Sequence, residues 1–465
     1  MKPILLIDFG STYTKLTAVD VEGEVILGTA SSYTTVQTDI NEGLEAALRL
    51  LEEKTGKIEY EKTYACSSAA GGLRMVTSGL VPELTGEAAK LASLGAGAKV
   101  VGIYAFQLTE DDVEDIRDLK PDILLLVGGT DGGNTECILH NAAMIATLEP
   151  NFPVVIAGNR NAARQCQRIL TEAGHEVHVC PNVMPKFGVL KIEETQSKIR
   201  EIFLNRIVQA KGLSKAADLL SDIMMPTPAA VLQAVELLSQ GCEGEPGIGD
   251  LVAVDVGGAT TDVYSVADGM PEHMNTVYKG LPEPFAKRTV EGDIGMRYSV
   301  KGIVEAAGLK RMSRVSGLST QRVTELVDHL RANTDTVPNG DPELEALDFA
   351  LASMATEEAV RRHAGTMEET YTLMGLTFVQ SGKNLTKVKQ IVVTGGSLIH
   401  TKETEKIAAY ALYSPQDPGS LRPKEADVWV DRKYILAAMG LLSSYYPQTA
   451  LRIMKKELEF HGYSE

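Results

Sequence analysis

Apolar and polar positions change in blocks along the chain. Residues 3–30 (PILLIDFGSTYTKLTAVDVEGEVILGTA) open with an apolar run, then a Gly/Ser/Thr turn, a β-rich run, the Glu22-Gly23 turn and a further β run. That pattern predicts strand–turn–strand–turn–strand. The design returns at residues 250–278 (DLVAVDVGGATTDVYSVADGMPEHMNTVY). Placing Asp8 on Asp255 brings Gly10 onto Gly257, Thr14 onto Thr261 and Leu16 onto Val263, an offset of 247 residues. Such a duplication predicts two related α/β lobes.

Between the repeats, from Gly95 to about Cys180, strand-like and helical stretches alternate. AKVVGIYAF precedes TEDDVEDIRDL, DILLLV precedes GGTDGG and TECILHNAAMIATL, and FPVVIAG precedes NRNAARQCQRILTEAG and HEVHV. Strands alternating with helices of this length predict a βαβ-type parallel sheet. Residues 190–240 read as amphipathic helix interrupted by Pro226 and Pro228, and 241–250 (GCEGEPGIGD) as a linker. After residue 290 the chain reads as mostly helical, apart from strands at 389–394 (KQIVVT) and near 428–430. The C-terminal stretch 431–442 (DRKYILAAMGLL) is an apolar helix with small residues that permit close helix contact. The expected organisation is a first lobe beginning at 1–94, an inserted α/β module with a helical linker at 95–250, and a second lobe at 251–465. That second lobe carries a helical subdomain and C-terminal helices returning to a cleft.

Length and charge narrow the function. A chain of 465 residues is long enough for two or three packed units. Its formal net charge of −17 repels nucleic-acid phosphates and anionic lipid headgroups, so neither is an expected partner. The apolar run from Ile4 to Ile7 stops at Asp8, far short of the ~18 residues of a spanning helix. The five cysteines are scattered and never form C-x-x-C, the usage of a reduced, cytoplasmic protein. His175, His178 and Cys180 (HEVHVC) lack metal-ligand spacing and read as ordinary packing in a strand.

Three glycine turns each follow an apolar strand: residues 7–15 (IDFGSTYTK), 254–262 (VDVGGATTD) and 392–400 (VVTGGSLIH). Glycine lets backbone N–H groups converge on an anion, and hydroxyls add donors. The first two strands end in carboxylates, Asp8 and Asp255, which lie beside phosphate comfortably only with a divalent cation between them. Two acid-tipped hairpins and a third turn fit a nucleotide clamped between lobes. GGTDGG (128–133) binds an anion or merely turns sharply, the turn being the favoured reading. No G-x-x-x-x-G-K-[ST] occurs.

These turns resemble the phosphate-1, phosphate-2 and adenosine motifs of the actin, sugar-kinase and heat-shock ATPase superfamily. Over nearly the whole chain, including 66–75 (CSSAAGGLRM), 124–133 (LLLVGGTDGG) and 291–297 (EGDIGMR), the sequence resembles the MutL/GlmL family. These are accessory proteins of adenosylcobalamin-dependent glutamate mutase and related aminomutases. They share only an abbreviation with a DNA mismatch-repair protein. The resemblance implies two ribonuclease-H-like lobes around a nucleotide cleft, with ATP and Mg²⁺ as ligands. Gly10, Ser11, Thr12 and Tyr13 would wrap the β- and γ-phosphates from one lobe, and Gly257, Gly258 and Ala259 from the other. Asp8 and Asp255 would hold Mg²⁺ through water, and Asp255 or Asp262 would position the attacking water. Gly395 and Gly396, with Ser397, would lie against the adenosine. The heat-shock ATPase lysine has no clear equivalent, Arg74 being the stand-in. Glu291 and Asp293 either face the cleft or cap a helix.

The function implied is a chaperone-like, slowly hydrolysing ATPase that reactivates or protects a cobalamin mutase, with the mutase subunits as partners. The chain lacks D-x-H-x-x-G, so no tightly bound cobalamin is expected. A small-molecule kinase on the same scaffold is the alternative, with Asp255 or Asp293 as base. An activator with an iron–sulfur cluster bridged across a dimer ranks last, because no cysteine sits in a glycine-flanked ligand pattern.

Overall fold

The computed structural model describes residues 2–10, 13–34, 40–68, 73–210, 222–272, 275–372, 375–401 and 403–462. The chain divides into two compact units: Met1–Ala234 with Gly280–Pro282 and Ala437–Ile453, and Val235–Lys279 with Glu283–Leu436 and Met454–Glu465.

The first unit holds two sheets. In the first sheet, β1 (Pro3–Phe9) lies between β2 (Tyr13–Asp20) and β4 (Lys62–Ser67). The outer strands are β3 (Val25–Tyr33) beside β2 and β10 (Asp222–Pro226) beside β4. Every residue of β1 is buried, which explains why its sequence is an unbroken apolar run rather than an alternation. Leu5, Ile7 and Phe9 share one face with Leu16 and Ala18 of β2, and α1 (Ile40–Thr55) covers that face with Leu44, Ala47 and Leu51.

The second sheet of this unit is wholly parallel, in the order β6-β5-β7-β8-β9. Its strands are β5 (Arg74–Gly79), β6 (Lys99–Ala105), β7 (Ile123–Leu126), β8 (Val154–Ile156) and β9 (Val177–Val179). The helices α2 (Glu87–Gly95), α3 (Glu110–Leu119), α4 (Glu136–Ile145) and α5 (Arg160–Glu172) connect them. Thr109 and Asp112 form a reciprocal capping box on α3, and Asn159 caps α5. In the HEVHVC segment, His178 pairs with Glu176 at 2.7 Å and buried His175 packs on Phe152, so both side chains have ordinary structural partners.

Residues 190–240 are not helical throughout. After α6 (Glu193–Ala210), Asp222–Pro226 runs as β10, and α7 (Thr227–Gln240) follows. Pro226 ends β10 at a sheet edge, where a missing N–H is tolerated. Pairing with β4, far away in sequence, overrides the local helical pattern.

The second unit begins with the two-residue strands β11 (Gly241–Cys242) and β12 (Glu245–Pro246). Its main sheet has the order β16-β14-β13-β19-β20-β21. These are β13 (Leu251–Val256), β14 (Thr261–Val266), β16 (Ala286–Glu291), β19 (Gln390–Thr394), β20 (Asp427–Val430) and β21 (Glu459–His461). A second small sheet joins β15 (Thr276–Lys279), β18 (Gly375–Ser381) and β17 (Thr366–Thr372), a hairpin region that the helical expectation after residue 290 did not contain. The unit's helices are α8 (Val300–Ala307), α9 (Leu309–Ser316), α10 (Thr320–Ala332), α11 (Pro342–His363), α12 (Gly396–Ile399) and α13 (Thr404–Ala408), whereas α14 (Leu436–Ser443) and α15 (Pro447–Glu457) lie mostly in the first unit's segment Ala437–Ile453.

The two main sheets repeat one design. In the first unit, β3-β2-β1-β4-β10 pair antiparallel, antiparallel, parallel and parallel. In the second, β16-β14-β13-β19-β20 pair in that same succession. The register agrees residue for residue, with Asp8 opposite Lys15 and Asp255 opposite Asp262. The architecture is therefore α/β, with two related lobes and an inserted parallel-sheet module.

Candidate nucleotide site

In the first unit, four side chains gather where the carboxyl ends of β1, β4 and β10 meet the start of β2. Asp8 is 7% exposed, and its Oδ1 accepts from Thr227 Oγ1 at 2.6 Å and Cys66 Sγ at 3.5 Å. Lys15 Nζ lies 3.8 Å from Asp8 Oδ2, directly across the hairpin. Burial pushes the Cys66 thiol well up, with the Asp8 charge adding to it, so Cys66 stays a donor. The turn closes through Gly10 N donating to Tyr13 O at 3.1 Å, and a Cβ at Gly10 would meet that oxygen at 2.6 Å. Tyr13 is exposed, its ring edge-on to Tyr33 at 5.1 Å. Ser11 and Thr12 lie outside the described residues, as do residues 69–72 of the 66–75 motif.

The second unit repeats this turn. Gly257 N donates to Thr260 O at 3.0 Å, the counterpart of the Gly10–Tyr13 bond 247 residues earlier. The 291–297 segment docks on this hairpin: Met296 N donates to Gly257 O, and Arg297 N and Tyr298 N donate to Gly258 O. Gly295 permits the approach, since a Cβ there would sit 2.3 Å from Ala259 C. Gly258 and Ala259 are left exposed at the tip.

Asp255 is half-buried beside the third turn. Gly395 adopts φ +102°, and a Cβ on it would lie 2.4 Å from Val256 O and 2.9 Å from Asp255 Oδ1. Gly396, by contrast, has open space where its Cβ would be, and Ser397 follows in the first turn of α12. Tyr434 donates its hydroxyl to Asp255 Oδ1 at 3.3 Å. It holds φ +58°, uncommon for an aromatic residue. Asp431, 1% exposed, fixes this corner by accepting from Ile435 N and Leu436 N at the start of α14.

Other acids are committed elsewhere. Asp262 Oδ1 receives Arg288 Nε at 2.8 Å from a guanidinium that is 4% exposed, so this carboxylate is a strut across β14 and β16. Glu291 and Asp293 both pair with Arg362 at 2.8 Å, an arrangement neither expectation for them contained. Arg74 donates to Leu119 O at 2.8 Å at the start of β5 and is thus an anchor of the inserted sheet. Lys15, Thr227 and Tyr434 are the neighbours of Asp8 and Asp255 that motif matching misses.

The GGTDGG loop is a turn built from its own contacts. Gly129 and Gly132 have φ +71° and +79°. Asp131 Oδ1 accepts from Arg160 N and Asn182 Nδ2, each at 3.0 Å. Buried Asn159 binds Gly133 O and Asn134 O. A carboxylate at the centre of the loop opposes an anion there.

All five cysteines are free, and Cys66, Cys137, Cys166 and Cys180 are buried. Burial raises Cys166 and Cys180 to about 11. Native protein treated with a chromogenic disulfide should therefore show one fast thiol, half-exposed Cys242, and release the rest only on unfolding. Two or more fast thiols, or fast labelling retained in Cys242→Ser, would contradict this packing.

Among the described residues no helix is long and apolar enough to cross a membrane. The family model described as "MutL protein" matches residues 4–458. "Protein MutL" of Clostridium tetanomorphum is 47% identical over 460 residues, covering 98% of this chain and 99% of that one. Among solved structures, the chain is similar to the activator of 2-hydroxyisocaproyl-CoA dehydratase from Clostridium difficile with bound ADPNP, at 9% identity and TM-score 0.36, covering 98% of each chain. It is similar also to a glycerol dehydratase reactivase, at 12% identity and TM-score 0.36, over 95% of this chain and 99% of that one. A xylulose kinase from Lactobacillus acidophilus gives 10% identity and TM-score 0.37, over 100% and 93%.

Proposed function

The chain belongs to the MutL protein family, and from that premise we propose that it is an ATP-binding accessory factor for an adenosylcobalamin-dependent mutase. The supporting observation is the twin hairpin: two acid-tipped turns with the same register and the same closing hydrogen bond, one in each unit. In this reading the hairpins bind MgATP. Backbone N–H groups around Gly10 and Gly257 bind phosphate oxygens, and the Lys15 ammonium offsets phosphate charge. Asp8 and Asp255 supply hard oxygen donors, which suit Mg²⁺ held through its water shell. When bound, Mg²⁺ neutralises phosphate charge and orders the coordinated waters. Asp255, held by Tyr434, orients the attacking water, and Gly396 leaves space for the adenosine.

Hydrolysis in this proposal is slow, and its use is conformational. ATP and ADP stabilise different states of the factor, and the mutase binds those states with different affinity. The protein works in the cytoplasm and carries no tightly held cobalamin of its own. The kinase alternative loses Asp293 as a base, because that carboxylate is paired with Arg362.

Immobilised protein should retain glutamate mutase or aminomutase subunits in a nucleotide-dependent way, with affinities in ATP and ADP differing about tenfold, equivalent to ~1.4 kcal/mol. ATP turnover should proceed without a phosphate acceptor and rise when mutase is added. Equal recovery in both nucleotides, or ADP release only with a small hydroxylated acceptor, would overturn the proposal.

A further inference from the structure

The inserted parallel sheet has a feature that the nucleotide proposal leaves unused. Its order, β6-β5-β7-β8-β9, reverses direction between β5 and β7. Connections leaving these two strands pass to opposite faces, so a crevice is expected at their carboxyl ends. A cavity of about 370 Å³ opens there, lined by Leu80, Phe106, Gln107, Asn134, Glu136 and Cys137. That is the size range of small-molecule sites.

Phe106 is the unusual member. It is 61% exposed, yet its backbone sits at φ +66°, a region that side chains rarely adopt. The surroundings hold it there. Phe106 N donates to Leu80 O at 3.2 Å, and its carbonyl accepts from Asn141 Nδ2 at 2.9 Å. Asn141 is itself fully buried and also binds Ser78 Oγ and Leu108 N. Strain maintained by a buried polar network, with the aromatic ring left in solvent, is the pattern of a ligand platform.

The lining also sets the charge of what fits. Among the described residues no lysine, arginine or histidine lines the cavity, whereas Glu136 does. The amide of Cys137 at the start of α4 is already capped by Asn134 Oδ1 at 3.1 Å. A phosphate would find a carboxylate there in place of the open helix end that usually binds it. Leu80 and the buried Cys137 give apolar wall, and Gln107 and Asn134 bring amides able to bind ring nitrogens and carbonyls. We propose that this cavity binds an uncharged, planar, nitrogen-containing fused ring stacked on Phe106. A purine, a benzimidazole and a flavin ring share that chemistry.

The full chain, with saturating MgADP present, should be titrated calorimetrically with adenosine, 5,6-dimethylbenzimidazole and riboflavin. One of them should bind saturably at one per chain. Phe106→Ala should weaken that binding about tenfold and Phe106→Tyr should retain it, as expected for loss and conservation of stacking. The nucleotide of whichever ring binds (AMP, the ribazole 5′-phosphate of dimethylbenzimidazole, or FMN) should bind about tenfold more weakly than its dephosphorylated form, with the gap closing in Glu136→Gln. Binding of none of the three, unchanged affinity in correctly folded Phe106→Ala, or tighter binding of the phosphorylated form would overturn the inference. The ring site stands apart from the nucleotide proposal, so Asp8→Asn should leave this binding intact whether or not that proposal survives.

Discussion

Asp8→Asn and Asp255→Asn should each lower ATP turnover about 100-fold, or ~2.7 kcal/mol of barrier, while leaving circular dichroism unchanged. Asparagine is the informative replacement at Asp8. Its amide oxygen can still accept from Thr227 Oγ1 and Cys66 Sγ, so the buried contacts persist while the negative charge is lost. Alanine would also leave the Thr227 hydroxyl without this acceptor and would mix a packing defect into the kinetics. At Asp255 the change removes the charge that, in the proposal, would hold the ion through its water shell, while the side chain still reaches the Tyr434 hydroxyl. Turnover measured as ADP release, alongside nucleotide binding, separates a lost ion from a lost ligand. Wild-type rates in both variants would mean that neither hairpin serves the reaction.

The hairpins were legible because local patterns specify them. Each acid lies two residues before the turn glycine, and the Gly10–Tyr13 and Gly257–Thr260 bonds span only three residues. The same register makes Lys15 legible in retrospect. Once Phe9 pairs with Thr14, residue 15 must lie across from residue 8. Thr227 and Tyr434 carry no such signal, because they reach Asp8 and Asp255 from 219 and 179 positions away. The same holds for what disqualifies an acid. Asp262 faces Asp255 across the same hairpin, and only β16, arriving with Arg288, commits it to a buried pair. The alternation of strands and helices announced the parallel sheet. By contrast, Asp222–Pro226 became a strand through pairing with β4, which no local periodicity encodes.

The small residues of the C-terminal helix gain a definite meaning from the structure, and with it the second large effect. Gly440→Ala should destabilise the protein by roughly 2–3 kcal/mol, although glycine-to-alanine inside a helix ordinarily stabilises by about 1 kcal/mol. Gly440 lies within α14, where a Cβ would meet Ala230 O at 1.8 Å, Ala230 C at 2.5 Å and Ala230 Cα at 3.0 Å. All three are backbone atoms of α7, so no rotamer change relieves the overlap. The helices must separate, and the buried alanines they carry, Ala229 and Ala234 on α7 and Ala437 and Ala438 on α14, have side chains too short to refill a gap. Thr227 opens α7 and donates to Asp8, so a shifted helix also draws a hydroxyl away from the candidate site. The thermal midpoint of Gly440→Ala should therefore fall by about 5 °C, and nucleotide turnover should fall with it. A midpoint equal to or above that of the parent would show that the two helices do not touch at this position. A lower midpoint with unchanged turnover would separate the packing role of α7 from any part Thr227 plays at Asp8.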